Sequence, residues 1–548
     1  MQFDNKKIII YGKNRYQRDF QYIFPDLNIA YYIDDKEQEG TCPITTLNNE
    51  LSNGVFVIIC KSKEEQSLAI QSLQANSLQY GDDFCIMDDL FTELDFNIER
   101  AAKGKKIVVW GTGFRSKQFC ESYHKNYENL VIDFFIDSDP EKCKSLFYDK
   151  EVVYIDSITD WNSYFVIIAI ADENRDELNK IIAEKGFQNN CVPASLLLRE
   201  KPSSLLFRTI YDVTQYEIAK CPKIDDIRIL WDGNVCPCGS SQSIVLGNIF
   251  IDKPEEIWNS VYVKIYRLSM LNRTHTFCEG HRCPHLVNRK VNSNEANEFK
   301  LVDNFPKQPY LLLLDLEGSC NIMCTSCRDS IIVRESAFYD RFCDSIIENY
   351  LDCSDRLIFA GNSEVFVSKY GKRILKSVEC IKRQHVSLLT NGLAFNRYNW
   401  NEYLEPYKMV DVSVSIDAAT EETYLKIRRK SNWIFINENL KMIQELKAAG
   451  RIGFFQINFV VQKMNVHEMA DFVRMGKKYQ VDRVLFNMLE NWKFSPEEFR
   501  EESIMDENNN IKEEYKKYFE DEILFDSIVD LTNIAQAFGK HAKDAYMY

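Results

Sequence analysis

The chain is short of positive charge, of long apolar runs and, at its most telling point, of one cysteine. Its 67 Lys and Arg face 82 Asp and Glu, a net charge of -15 over 548 residues. Binding a long nucleic acid needs a basic face to neutralise phosphates, so that class of function is disfavoured. The opening MQFDNKKIIIYG lacks the apolar stretch of a signal peptide. Runs such as LLLLDL fall well short of the roughly 20 residues a spanning helix needs. Both absences point to a cytoplasmic protein. In that compartment 17 cysteines read as thiols rather than disulfides. Cys60, Cys85, Cys120 and Cys191 stand alone in apolar runs, as inert core residues do. Eight others fall between 221 and 327, and that concentration calls for chemistry.

The length suggests roughly three to five domains. The first 200 residues repeat themselves: KKIIIYGKNRYQRDF at 6–20 returns as KKIVVWGTGFRSKQF at 105–119, and VFVIIC at 55–60 as YFVIIAI at 164–170. Each copy reads as a buried strand, a glycine turn, a helix, a strand ending in aspartate, then a further strand and helix. That alternation predicts two Rossmann-like, doubly wound parallel units, at 1–100 and 101–205. Gly111-Thr-Gly113 opens a helix in the second copy, where backbone N–H groups can hold a phosphate and Asp137 or Asp139 a ribose hydroxyl. Ser116 stands where a third glycine belongs, so a plain packing turn is the other reading.

After a segment at 206–305, strand and helix alternate again over 306–493. The strands read YLLLLDL (310–316), RLIFAG (356–361), HVSLLTNG (385–392), MVDVSVSID (409–417), FFQINFVVQ (454–462) and VDRVLFNML (481–489). Six strands with intervening helices suit an open α/β barrel, whose chemistry sits at the C-terminal strand ends. SPEE at 495–498 reads as a capped helix start opening an acidic helical tail, 494–548.

Directly after the first barrel strand comes CNIMCTSC, with Cys320, Cys324 and Cys327 at C-x3-C-x2-C. Three thiolates are one too few for a closed site. A four-iron cluster with one open iron fits, and so does a zinc site completed by a distant fourth ligand. A second set lies upstream, where CPKIDDIRILWDGNVCPCG reads as a β-hairpin turning at Asp232-Gly233. Cys221 and Cys238 flank it, Cys278 and Cys283 follow, and Cys236 is an extra. Zinc remains open here too, with His275, His281 and His285 nearby in sequence.

C-x3-C-x2-C after the first strand of a six-strand barrel resembles the radical S-adenosylmethionine (radical SAM) superfamily. The upstream hairpin with its paired cysteines, LGNI and EEIWNS resembles the SPASM or twitch auxiliary-cluster module, here placed before the barrel. The resemblance covers roughly 220–490. It implies a [4Fe-4S] cluster on Cys320, Cys324 and Cys327 whose open iron chelates SAM. It implies an auxiliary [4Fe-4S] cluster on Cys221, Cys238, Cys278 and Cys283. Electron transfer would cleave SAM to a 5′-deoxyadenosyl radical. The SAM contacts it implies are Gly361, Ser363 and Glu364 after the second strand, Asn391 in TNG after the third, and Ser415 and Asp417 after the fourth. Arg428 would meet the SAM carboxylate, and Gln462 and Asn465 close the fifth strand. Val365 stands where the family often has proline, and Ser326 where it often has a large residue near the adenine.

The expected function is hydrogen abstraction from an unactivated C–H bond of a sugar-like or nucleotide-linked small molecule, in an oxidoreductase- or epimerase-type reaction. Electrons would come from a flavodoxin- or ferredoxin-type donor. The alternative is a peptide-modifying SPASM maturase, although the first 200 residues offer no winged-helix peptide-recognition domain. A third reading is a zinc-stapled scaffold without catalysis. No membrane partner is expected.

Overall fold

The computed structural model describes residues 6–35, 39–49, 54–171, 175–212, 214–216, 221, 223–238, 244–278, 283, 286, 290–291, 308–309, 311–377, 385–507, 510–531 and 534. Among them no helix is long and apolar enough to cross a membrane. The chain divides into two compact units. The first holds Met1–Gln215, Asn259–Thr276 and Val291–Leu301; the second holds Tyr216–Trp258, Phe277–Lys290 and Val302–Tyr548.

The first unit contains two parallel sheets, one per sequence copy. Strands β1 (Lys7–Tyr11), β2 (Ile29–Ile33), β3 (Val55–Ile59) and β4 (Phe84–Ile86) run in the order β2-β1-β3-β4. In the second sheet β5 (Lys106–Trp110), β6 (Phe134–Asp137), β7 (Val152–Tyr154), β8 (Tyr164–Ile168) and β9 (Cys191–Pro193) run β7-β6-β5-β8-β9. Order 3-2-1-4-5 matches the first five strands of the doubly wound order 3-2-1-4-5-6. Strands such as Val55–Ile59 are buried along their whole length, as a sheet covered on both faces requires. Cys60, Cys85 and Cys120 are core residues, whereas Cys191 on an edge strand is only partly buried. In the first copy Lys61 Nζ bridges Asp34 at 3.3 Å and Asp35 at 2.9 Å across the strand ends.

This unit also takes in the helix Val261–Leu271, from the segment between the two cysteine pairs. Val263, Ile265, Tyr266, Leu268, Met270 and Leu271 are buried on it. Past its end, Asn272 Nδ2 donates to Asp19 Oδ2 at 3.1 Å and to the Thr209 carbonyl at 3.0 Å.

Two short strands, β10 (Gln215–Tyr216) and β14 (Lys290–Val291), stand outside the main sheets. The second unit is built on one ten-stranded sheet. Its centre is β15 (Leu311–Leu314), β17 (Arg356–Phe359), β18 (His385–Thr390), β19 (Met409–Ser415), β21 (Ile452–Val461) and β22 (Arg483–Met488), adjacent in chain order and all parallel. This is the connectivity of a partial (β/α)6 barrel, with all six expected strands present. At one edge β11 (Asp226–Ile229) pairs parallel with β15, β12 (Asn234–Pro237) antiparallel with β11, and β13 (Gly247–Asn248) with β12. At the other edge β23 (Val529–Asp530) pairs with β22. The hairpin is therefore part of the barrel sheet. Its turn forms where Asp232-Gly233 foretells it, with Gly233 at φ +87°. The tail opens with Ser495 and Glu498 in a reciprocal capping box on the helix Pro496–Glu502.

Register separates the sheet's two faces. Ile227, Leu312, Leu357, Val386 and Val410 form an apolar row. On the same face Phe459 packs on Phe472 of the helix Met469–Lys478 at 4.8 Å between ring centroids. The opposite, interior face mixes polar and apolar groups: Cys236, Arg228, Leu313, Ile358, Ser387 and Asp411 lie in one row, and Ser413, Gln456 and Arg483 in the next.

Candidate active site

The loop after β15 is held by the strands around it. Within it β16 (Met323–Cys324) pairs antiparallel with β20 (Arg428–Arg429), matching Met323 to Arg429 and Cys324 to Arg428. Each thiol then meets its own N–H donor. Asn391 Nδ2 approaches Cys320 Sγ at 3.7 Å, an Arg428 terminal nitrogen reaches Cys324 Sγ at 3.4 Å, and Arg328 Nε reaches Cys327 Sγ at 3.4 Å. Cys320 is buried, Cys324 partly buried and Cys327 exposed. Burial pushes the Cys320 and Cys324 thiols up; Arg428 draws Cys324 back down, and Arg328 and Asn391 do so for Cys320. Donors aimed at sulfur favour the thiolates that iron or zinc requires.

The other expected site residues gather at the same strand ends, most of them bonded to one another. Gly361 lets the end of β17 approach Leu389, which a Cβ would meet at 2.5 Å. Ser363 Oγ accepts from the Gly318 N–H at 2.6 Å. Glu364 is buried and accepts from the Thr390 hydroxyl and the Asn391 N–H, each at 2.8 Å. Burial pushes it up to about 7, against the pull of those donors. Asp417, at φ +63°, pairs with Arg428 at 2.6 Å and accepts from the Val460 N–H at 2.8 Å. Ser415 Oγ accepts from Asn458 Nδ2 at 3.3 Å. Asn465 Nδ2 donates to the Asp417 and Val460 carbonyls at 2.9 Å each, tying β19 to β21. Burial works against the Arg428 charge, Asp417 outweighs it, and the guanidinium holds its proton more tightly than a free arginine.

Of the expected site residues, two keep polar atoms unused, as do Glu317, Thr325 and Asn362 near them. Both amide atoms of Gln462 and the Nε of Arg428 are buried without a hydrogen-bond partner. Buried polar atoms are seldom left so, and such atoms suit a bound polar molecule. The three-thiol set, its donors and these atoms fit an iron–sulfur cluster that carries a polar ligand.

The second cysteine set lies at the other end of the strands. Cys221 precedes β11, and Cys238 follows Pro237, which pairs with Ile227 near the start of β11. Both mark the N-terminal ends of the parallel strands, whereas Cys320 follows the C-terminal end of β15. At about 3.3 Å per residue, the strand and its extension put roughly 15–20 Å between those ends. Burial raises the Cys221 thiol to about 12, and the charges of Cys238 and Cys283 add to it. Cys278 is pushed up by burial and then by Cys238, Cys221 and Cys283. The four thiols thus lie in one another's fields. Cys236 pairs across the hairpin with Arg228, whose guanidinium bonds Asp315 at 2.6 Å. His275 belongs to the first unit, and His281 and His285 lie outside the described residues. Among the described residues no three Cys, His, Asp or Glu side chains are grouped as ligands of a single metal ion. A cluster asks for something different, one thiolate on each iron.

In the N-terminal copies the glycine turns bind their own strands. Asp137 accepts from the Thr112 N–H at 3.0 Å and from the Asp139 N–H at 2.9 Å. Ser116 Oγ donates to the Gly111 carbonyl at 2.7 Å. Gly113 caps the helix Phe114–Ser122 with no neighbour where its Cβ would lie.

An iron–sulfur cluster-binding family, SPASM, matches residues 221–284. Those residues thus resemble a SPASM domain. The match supports iron–sulfur cluster binding by that segment, whose hairpin pairs with the first barrel strand that leads into the three-cysteine loop. No curated protein sequence matches the chain. Among solved structures, Streptococcus suis SuiB bound to precursor peptide SuiA is 13% identical, with a TM-score of 0.29, over 42% of this chain and 51% of that one. Native anSMEcpe with bound AdoMet and Kp18Cys peptide is 16% identical, with a TM-score of 0.28, over 38% and 58%. TYW1 with a lysine–pyruvate adduct is 14% identical, with a TM-score of 0.25, over 36% and 66%. The chain spans less than two thirds of each, and overlaps this slight carry neither substrate nor mechanism to it.

Sequence reasoning did not find the hairpin's place in the barrel sheet, Arg328, the buried Arg228–Asp315 pair, or the part that Asn391, an expected site residue, plays beside Cys320. The adjacent Arg428-Arg429 was the one visible signal for the ribbon behind the cysteine loop.

Proposed function

We propose that the chain is a radical SAM enzyme that reductively cleaves S-adenosylmethionine at the Cys320, Cys324, Cys327 loop and removes a hydrogen atom from an unactivated C–H bond. The observation that carries this reading is the set of three thiols, each with its own N–H donor, at the C-terminal end of the first barrel strand. A [4Fe-4S] cluster there would supply the electron that breaks the cosubstrate's C–S bond. Arg428 and Gln462 are assigned direct contacts to SAM, because they keep unused polar atoms. Gly361, Ser363, Glu364, Asn391, Ser415, Asp417 and Asn465 are assigned to shaping the pocket, several through the bonds they make to one another.

The substrate is assigned to the interior face, between the two cysteine sets. Hydrogen-bonding groups line it: Gln456 Nε2 donates to Ser413 Oγ and Asn458 Nδ2 to the same oxygen, both at 2.9 Å. Such a lining suits a hydroxyl-rich molecule, in keeping with a sugar-like or nucleotide-linked substrate that is dehydrogenated or epimerised. The auxiliary cluster on Cys221, Cys238, Cys278 and Cys283 would accept the second electron of an oxidation. Peptide modification is the second reading, favoured by the likeness of residues 221–284 to SPASM modules.

The test is anaerobic reconstitution, iron and sulfide analysis, and assay of 5′-deoxyadenosine with SAM and dithionite. About eight irons per chain, about four in a Cys320→Ala/Cys324→Ala/Cys327→Ala variant, and deoxyadenosine from the wild type alone are expected. Zinc without iron, or no cleavage by fully loaded protein, would remove the enzyme reading in favour of a scaffold.

A further inference from the structure

Arg328 directly follows the third cysteine, and every nitrogen of its guanidinium is engaged. Nε reaches Cys327 Sγ at 3.4 Å, one terminal nitrogen donates to the Gly318 carbonyl at 2.7 Å, and the other to the Asn362 carbonyl at 3.0 Å. The guanidinium therefore ties together the segment between β15 and Cys320, the cysteine loop, and the turn after β17. None of its acceptors is a carboxylate. Asp329, next along the chain, pairs instead with Arg429 at 3.2 Å and with Lys493. The other arginine at the thiols is differently placed. Arg428 meets Cys324, but buried Asp417 answers its charge at 2.6 Å. Asn391, the donor beside Cys320, carries no charge. One fixed positive charge thus lies against one sulfur of the set, and among the described residues no carboxylate bonds it.

We infer that Arg328 raises the reduction potential of the cluster held by Cys320, Cys324 and Cys327, and that it does so through its charge. The inference rests on the cluster assigned to this loop under the proposed function. Potentials of such clusters follow net charge and hydrogen bonds to the sulfurs. Reduction adds an electron to a group that its thiolates already make negative. A cation within hydrogen-bond range of one sulfur stabilises the reduced form more than the oxidised form. Arg328 is only partly exposed, so solvent ions screen it less than they would a free surface charge. Arginine keeps its proton throughout, which makes the field permanent. The two carbonyl bonds hold the guanidinium at a fixed distance from the sulfur, which a mobile surface cation would not keep. One electron enters from an external reductant, dithionite in the test; no bond breaks and no proton moves. Arg328 acts through the cluster and touches no reacting carbon.

The test is a potentiometric titration of the full chain, reconstituted without oxygen and followed by electron paramagnetic resonance. The signal that the Cys320→Ala/Cys324→Ala/Cys327→Ala variant lacks belongs to this loop. Arg328→Gln removes the charge and keeps a side chain that can donate hydrogen bonds; Arg328→Lys keeps the charge. Arg328→Gln is expected to lower the midpoint of the loop's signal by the equivalent of about tenfold or more in the reduction equilibrium, about 59 mV for one electron, and Arg328→Lys to recover at least about half of that shift. Iron and sulfide per chain are measured on each protein. An unshifted or raised midpoint in Arg328→Gln would overturn the inference. An equal shift in Arg328→Lys, or loss of the loop's iron from Arg328→Gln, would overturn it too and leave Arg328 as a structural tie. If wild type shows no signal that the cysteine variant removes, the cluster reading itself falls.

Discussion

Two single residues can be tested without any cofactor chemistry or with only its metal. Asp19 is wholly buried in the first unit, and burial raises its carboxyl to about 6 against the pull of Asn272, Arg15 and Arg18. A carboxyl raised on folding binds its proton more tightly when folded. Its contribution to stability is therefore present at low pH and lost as pH rises from about 4 through about 6. Asp19→Asn should remove that slope and stabilise the unit at pH 7 by about 1–3 kcal/mol, read as thermal midpoints across pH. Asn391 donates to Asn321 Oδ1 at 2.8 Å as well as approaching Cys320. Asn391→Leu should cost about 1–3 kcal/mol at the loop and lower the iron retained per chain after gel filtration. The cysteines themselves were legible from spacing alone. Arg328 was not, and the approach of the expected site residues Asn391 and Arg428 to sulfur was not either, because only the folded loop brings the thiols to them.

At the scale of elements, the six barrel strands were legible as apolar runs bounded by polar turns, and the tandem repeat announced two parallel sheets. The pairing of β11 with β15 was invisible, because partners more than 80 residues apart leave no mark in either local pattern. The alternation of faces was masked as well: LLLL shows no period of two, although Leu313 faces the interior with Arg228. That junction contains the Arg228–Asp315 pair, with Asp315 pushed up by burial and drawn back by Arg228. Arg228→Met should strand a buried carboxylate and cost about 3–5 kcal/mol, whereas Arg228→Met/Asp315→Leu should recover most of the loss. Urea midpoints of the two variants decide it. Equal losses would mean that the pair is not what joins hairpin to barrel.

For the whole molecule, sequence order and spatial order part company. The helix Val261–Leu271 lies inside the SPASM-like segment by sequence, yet packs with the N-terminal sheets' unit. Its six buried apolar side chains are together worth about 10 kcal/mol of burial, comparable to the full stability of a typical domain. A fragment ending at residue 215 is therefore expected to aggregate or to melt far below the same region in the full chain. Scanning calorimetry of the fragment alongside the full chain would show this. An unchanged melting transition would mean that the helix is a passenger.

The pairing of β11 along β15 has one more consequence, in the life of the chain before it is complete or after it is damaged. Strand β15 is four leucines in a row. Without the hairpin, that strand would be an open, sticky sheet margin, the kind of template on which chains add to one another. The hairpin is thus also a guard against fibre-like self-assembly, and its early synthesis means the guard exists before the leucines leave the ribosome.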